Sequence, residues 1–160
     1  MRLSFFDFVK KEEAIMTITV NQLLNTIQSD FFSVTPNSLV IDAIKMMNEK
    51  EVGALLVMEN DNLVGIMSER DYTRKVILNN RSSSEINVSE IMTSDLKTVN
   101  SSQTIDECMI IMSNNHIRHL PVVDNNKTLG LLSVIDVVKN IISEKEFIIE
   151  QLEHYISDTT

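Results

Sequence analysis

The chain repeats itself. A displacement of 65 residues lays one half on the other without a gap: Ser29-Asp30 falls on Ser94-Asp95, Val34 on Val99, Met47 on Met112, Val57 on Val122, Asn60 on Asn125, Gly65 on Gly130, Ser68 on Ser133 and Asp71 on Asp136. The apolar positions between these pairs match in character as well. Agreement over about fifty positions means that one supersecondary unit is used twice. A unit of about 50 residues buries too little surface to stand alone. The two copies must therefore pack together, sheet to sheet, with a pseudo-twofold cleft between them.

Each copy reads as strand, helix, strand, strand, helix. After Val34-Thr35-Pro36, Val40, Ile44 and Met47 recur at helical spacing, with Asn37 or Ser38 as N-cap, and the helix ends near Lys50. Val52 to Met58 and Leu63 to Met67 are short apolar runs separated by the turn residues Glu59-Asn60-Asp61-Asn62, the pattern of a buried hairpin. Ser68-Glu69-Arg70-Asp71 opens a helix that carries Tyr72, Val76 and Ile77 inward and stops at Asn79-Asn80. In the second copy the helix is Ile105 to Met112, the hairpin Leu120 to Val123 with Leu129 to Leu132, and the closing helix Ser133 to Ile142. The fold class is therefore mixed, α/β or α+β, with two β-α-β-β-α repeats. Residues 1–16 form an N-terminal extension, 17–80 the first domain, 81–87 a polar linker, 88–142 the second domain, and 143–160 a C-terminal amphipathic helix and tail.

Composition removes several classes of function. Twenty-three acidic against 14 basic side chains give a net charge of −9, so the broad basic footprint of a nucleic-acid binder is absent. No apolar run reaches the roughly 18 residues of a membrane span, and Asp7 and Lys10-Lys11-Glu12-Glu13 interrupt the apolar start before a signal-peptide core forms. The single cysteine, Cys108, sits among Met109, Ile110 and Ile111 and reads as packing. A cytoplasmic protein is expected.

The element with chemical content is Gly-x-x-Ser-x-x-Asp, present as Gly65 to Asp71 and again as Gly130 to Asp136. It lies where the second hairpin strand runs into a helix. Backbone N–H groups there suit a phosphate, and a carboxylate one turn in can accept from both hydroxyls of a ribose. Ser-x-x-Asp is equally a capping box, which satisfies the helix's own N–H groups and needs no ligand. Spacing alone leaves both readings open.

The stretches Val52 to Tyr72 and His116 to Val138 strongly resemble a tandem pair of CBS (cystathionine-β-synthase) domains, over roughly residues 17 to 157. The likeness is to small stand-alone bacterial proteins built of little beyond the pair. It implies a non-catalytic regulatory module, a homodimer that binds an adenosine-containing ligand (AMP, ADP, ATP, NAD or S-adenosylmethionine) in the cleft and signals to a regulated protein. An empty structural or partner-binding dimer is the alternative. Carried over by position, Asp71 and Asp136 hold ribose hydroxyls, and Ser68 and Ser133 lie beside ribose or phosphate. Backbone along Gly53-Ala54-Leu55 and His119-Leu120-Pro121 faces the adenine, and Thr35, with its counterpart Asn100, sits at the cleft's floor. The copies differ where Arg70 and Glu69 become Ile135 and Val134, which favours the first site over its twin.

Charge points the same way. Arg70, Arg74, Lys75 and Arg81 place four of the 14 basic residues in one short stretch. On a helix Arg70 and Arg74 are i,i+4 neighbours within reach of one phosphate, with Lys75 adjoining, or they balance Glu69 and Asp71 on a solvated face. His116 and His119, three apart with Asp124 following, fall on different faces of a loop-to-strand segment, so a metal site is not expected. Three glycines leave no phosphate loop, and no nucleophile stands beside a base. Binding without turnover is the reading.

Overall fold

The computed structural model describes residues 18–27 and 31–157. In chain order the elements are α1 (Val20–Ile27), β1 (Ser33–Val34), α2 (Val40–Lys50), β2 (Ala54–Glu59), β3 (Asn62–Ser68), α3 (Glu69–Lys75), short 3₁₀ turns at Ile77–Asn79 and Val88–Glu90, α4 (Ile105–Asn115), β4 (His119–Asp124), β5 (Lys127–Ser133) and α5 (Val134–Ser157). The expected mixed α/β repeat is present, strand for strand and helix for helix, with one strand of the second copy reduced to a bridge.

β2 is the middle of a three-stranded sheet of order β1-β2-β3. It pairs parallel to β1, with Ser33 opposite Leu56, and antiparallel to β3 from Ala54–Ser68 to Glu59–Asn62. Central position explains its unbroken run of apolar residues: Ala54, Leu55, Leu56 and Val57 are all buried. β4 and β5 form a separate pair. In the first copy Leu56 N–H donates to Phe32 O at 3.1 Å. The second copy has Pro121 in the place of Leu56 and so lacks that donor. There the leading strand shrinks to one parallel bridge, Val99–Val122, held by Val99 N–H to Pro121 O and Val123 N–H to Val99 O.

Left-handed backbone falls at matching places. Asn60 and Asp61 turn the first hairpin at φ 49° and 63°, and Asn125 and Asn126 turn the second at 47° and 64°, as two-residue hairpin loops demand. Glu51 closes α2 at φ 54°, and His116 closes α4 at 53°. In each case the following N–H reaches back five residues, Val52 to Met47 O and Ile117 to Met112 O, both at 3.0 Å. His116 thus has a helix-ending role that its spacing from His119 did not reveal.

Packing divides the described chain into two compact units, one of residues 31–99 and 121–131, the other of 18–27, 100–120 and 132–157. The first has a core of Val34, Val40, Ala43, Met47, Leu55, Val57, Met67, Val76, Ile86, Val88 and Ile91. The second buries Val20, Leu23, Ile105, Cys108, Met112, Leu132 and Val137, among others. Each unit thus takes in the segment that leads into the other copy. Within the second, Ile105 N–H donates to Ile18 O at 3.0 Å, Thr19 bridges Thr104, and Val20 N–H donates to Gln103 O at 2.8 Å. Within the first, Val40 N–H donates to Ile86 O at 3.0 Å, Ile41 N–H to Ser83 O at 2.9 Å, and Leu39 bridges Asn87.

Two local expectations are corrected. The N-cap of α2 is Leu39, not Asn37 or Ser38, and it has no side-chain cap. Ser38 Oγ is engaged by the Thr35 N–H and hydroxyl, and the carbonyls of Ser83 and Ile86 accept the first helical N–H groups instead. Residues 81–87, which join the two copies, pack as they do so, with Ile86 buried and Arg81 paired to Glu90. An Asn87 N–H bond, with Arg81 beside it, holds the Glu90 carboxyl below its usual range. The closing helix of the second copy and the C-terminal amphipathic helix are one continuous helix of 24 residues. Nothing in Ile142-Ser143-Glu144-Lys145 stops it, whereas the first copy ends α3 at Lys75 and turns at Asn80 with φ 53°.

Candidate functional site

Antiparallel pairing sets Ala54 opposite Ser68, at the point where β3 hands over to α3. Gly53 O accepts from Glu69 N–H at 3.1 Å, which fixes the start of the helix against the start of β2. Ser68 is extended, and its Oγ accepts from Asp71 N–H at 3.3 Å. In return Asp71 Oδ2 accepts from Ser68 N–H at 3.0 Å and from the Ser68 hydroxyl at 2.8 Å. The capping box is present, so this residue pair has a structural duty whatever else it does.

The other oxygen of Asp71 is also occupied. Lys75 Nζ lies 2.8 Å from Oδ1, and the Thr93 hydroxyl donates to it at 3.3 Å. Lys75 Nζ donates in addition to Ile91 O at 2.6 Å. Thr93 is held at the β3 edge by reciprocal bonds with Ile66, Ile66 N–H to Thr93 O at 3.0 Å and Thr93 N–H to Ile66 O at 2.8 Å. Gly65 allows this approach, because a Cβ there would lie 2.6 Å from Met92 Sδ and 3.2 Å from Thr93 O.

The second copy repeats half of this. Val134 N–H donates to Arg118 O at 2.8 Å, the counterpart of the Glu69–Gly53 bond. Asp136 Oδ2 accepts from Ser133 N–H at 2.9 Å and from its hydroxyl at 2.6 Å. Among the described residues no protein donor is recorded on the other oxygen. At the position of Lys75 stands Asn140, whose Oδ1 is buried without a partner among the described residues.

Gly53, Ala54, Ser68, Asp71 and Lys75 are thus brought together at one strand–helix junction. Leu55 is buried with its side chain in the core. Thr35 is exposed, its hydroxyl 3.0 Å from Ser38 Oγ in its own turn. Arg70 is half-buried and Arg74 exposed on α3, whereas Lys75 and Arg81 are committed to ion pairs with Asp71 and Glu90. His119 is half-buried at the start of β4, and Pro121 is buried and engaged through its carbonyl. Ser133 and Asp136 form their own capping box. Thr93 and the Ile91 carbonyl went unnoticed in the sequence, since they come from the lead-in of the other copy and carry no motif.

Elsewhere the chemistry is quiet. Burial, then the Glu107 charge, pushes the Cys108 thiol up to about 11, so it stays protonated. Among the described residues no cluster of three or more His, Cys, Asp or Glu is placed to hold a metal. No helix there is long and apolar enough to cross a membrane.

A strand–helix unit used twice, with a Ser-x-x-Asp junction in each copy, defines a doubled mixed α/β class of fold, and sequence comparison sharpens it. A model of the CBS domain matches residues 20–77 and again 88–143. The chain belongs to the CBS-domain family. It is 39% identical over 127 residues to CBS domain-containing protein CBSX3, mitochondrial, of Arabidopsis thaliana, covering 76% of this chain and 62% of that one. A signal-transduction protein with CBS domains from Burkholderia ambifaria, described as putative in function, is 47% identical with a TM-score of 0.76, covering 79% of this chain and 95% of that one. The CBS domain pair of MJ0100, solved with 5′-methylthioadenosine and S-adenosylmethionine, shares the fold at 22% identity and a TM-score of 0.71, covering 80% and 98%.

Proposed function

We propose that this protein is a non-catalytic regulatory module that binds an adenosine-containing ligand, with Asp71 accepting from the ribose hydroxyls and Ser68 beside it. The observation that carries the reading is the Asp71 carboxylate. It is the most elaborately held acidic group described, its side chain is 12% exposed, and it sits in the motif the family repeats. Arg70 and Arg74, one turn apart on α3, supply positive charge for phosphates. Asp136 with Ser133 is the second, weaker position; the Gly53-Ala54 backbone faces the adenine at the first and His119 at the second.

The same reading makes the protein a homodimer in the cytoplasm. Ile135, Ile142, Ile149 and Ile156 recur every seven residues on α5, with Val138 beside them, and all are exposed. Such a stripe is the seam that a second helix covers. A ligand would act by favouring one arrangement of the module over another, which requires different affinity for the two.

Thermal-shift titration with AMP, ATP, NAD and S-adenosylmethionine tests this. A ligand bound only by the native state raises the midpoint by mass action, about 2.7 kcal/mol at a hundredfold excess over Kd. At least one should do so, and Asp71→Ala should abolish the shift. No shift with any of the four, or an undiminished shift in D71A, overturns the reading.

A further inference from the structure

A carboxylate accepts about four hydrogen bonds, and protein donors already supply four to Asp71. Ser68 takes Oδ2 with its N–H at 3.0 Å and its hydroxyl at 2.8 Å. Lys75 and Thr93 take Oδ1 at 2.8 and 3.3 Å. A ribose diol brings two more donors, so two of the four must give way. The Ser68 pair closes the capping box that starts α3, and giving it up would cost helix as well as hydrogen bonds. Oδ1 is the side that yields. Of its two donors Thr93 is neutral and distant, and its loss is small. Lys75 is charged and close, and releasing it leaves an ammonium that needs another acceptor.

Lys75 is built to make that exchange. Its Nζ stays anchored on Ile91 O at 2.6 Å, so it can turn the N–H released from Asp71 without leaving the site. An anion carried by the same ligand would take that N–H. We propose that Lys75 is a specificity-determining residue: it competes with the diol for Asp71 Oδ1, and only a ligand bearing both a diol and a phosphate compensates for its displacement. The site thereby rejects bare nucleosides in favour of nucleoside phosphates. This rests on the reading of Asp71 as the ribose acceptor. The twin site, with Asn140 in place of Lys75, has no such competitor and no such discrimination.

Isothermal titration of the full chain with adenosine and with AMP tests the proposal in the wild type, Lys75→Met, Lys75→Arg and Thr93→Val. K75M should bind adenosine roughly three- to tenfold tighter, the worth of one recovered hydrogen bond, and AMP no tighter, so the preference for AMP falls. K75R should keep the preference. T93V opens Oδ1 without removing charge, and should shift both ligands alike. It also serves if K75M loses its fold, as far-UV circular dichroism would show. Adenosine affinity unchanged or weakened in folded K75M overturns the proposal, as does a T93V variant that lowers the preference for AMP. If Asp71→Asn binds both ligands as the wild type does, or the wild type binds neither, the ribose reading itself falls and takes this one with it.

Discussion

The two copies share their turns and their capping boxes yet differ in what surrounds the acidic residue. Asp71 is gripped on both oxygens, by Ser68 on one and by Lys75 and Thr93 on the other, whereas Asp136 holds Ser133 alone among the described residues. The difference comes from the lead-in segments. Residues 91–93 open the second domain's segment but lie against the first copy, where they supply Ile91 O and the Thr93 hydroxyl. By the same 65-residue displacement the counterparts of Ile91 and Thr93 are Thr26 and Gln28, in the segment that leads into the first copy, and Gln28 lies outside the described residues. A duplicated motif thus need not yield duplicated chemistry, because what completes each site comes from outside the motif.

The largest expected effect on this comparison is at Gly65. Its substitution by alanine sets a methyl against Met92 Sδ and the Thr93 carbonyl, and overpacking of this kind costs about 1–3 kcal/mol. Urea denaturation should show that loss, with Met92→Ala in the same chain recovering much of it. A G65A protein as stable as the wild type would mean that the 91–93 segment is not held at the β3 edge, and the asymmetry would lose its cause.

A smaller effect probes where the copies agree. Glu51 and His116 both hold left-handed backbone at helix ends, a conformation that costs an L-residue roughly 1–2 kcal/mol and glycine little. Against the extra entropy glycine loses on folding, about 0.5–1 kcal/mol, E51G and H116G should each stabilise by about 0.5–1 kcal/mol, and by the same amount. Unequal gains would show that one helix end is also held by contacts of its side chain.

The smallest effect belongs to the second copy's unit alone. Burial, and then Asp106, raise the Glu144 carboxyl above its ordinary 4.5, and its Oε1 is buried without a partner among the described residues. A carboxyl whose folded value is raised binds its proton more tightly in the native state, so its penalty grows as pH rises from below the unfolded value through the folded one. Glu144→Gln should raise the melting temperature at pH 7 and do so less at pH 4. Equal gains at both would show that charge is not the cause.

Much of the fold was legible because a repeat, an alternation of apolar runs and two pairs of turn residues all agree. The hairpins at Asn60-Asp61 and Asn125-Asn126 and the Ser-x-x-Asp junctions follow from local chemistry alone. What escaped is non-local. Leu39 looks like a poor N-cap, and the carbonyls that replace a cap, Ser83 and Ile86, lie more than forty residues away. Lys75 reads as one more cation for a phosphate, and only the fold shows it turned onto Asp71 and Ile91. The break expected at Ile142 failed for a different reason: no glycine, proline or turn-forming asparagine stands at residues 142–145, so the helix runs on.

The first described helix is completed by residues far downstream, since Val20 and Asn21 donate to the carbonyls of Gln103 and Ser101. During synthesis α1 emerges early and must wait for those acceptors, at about 5–20 residues per second a delay of several seconds. Through that interval the apolar face of Val20 and Leu23 has no home, and the closure that follows is a long loop with the slow kinetics of non-local contacts. A ribosome stalled between the two copies would therefore carry a chain whose first described helix cannot yet be placed.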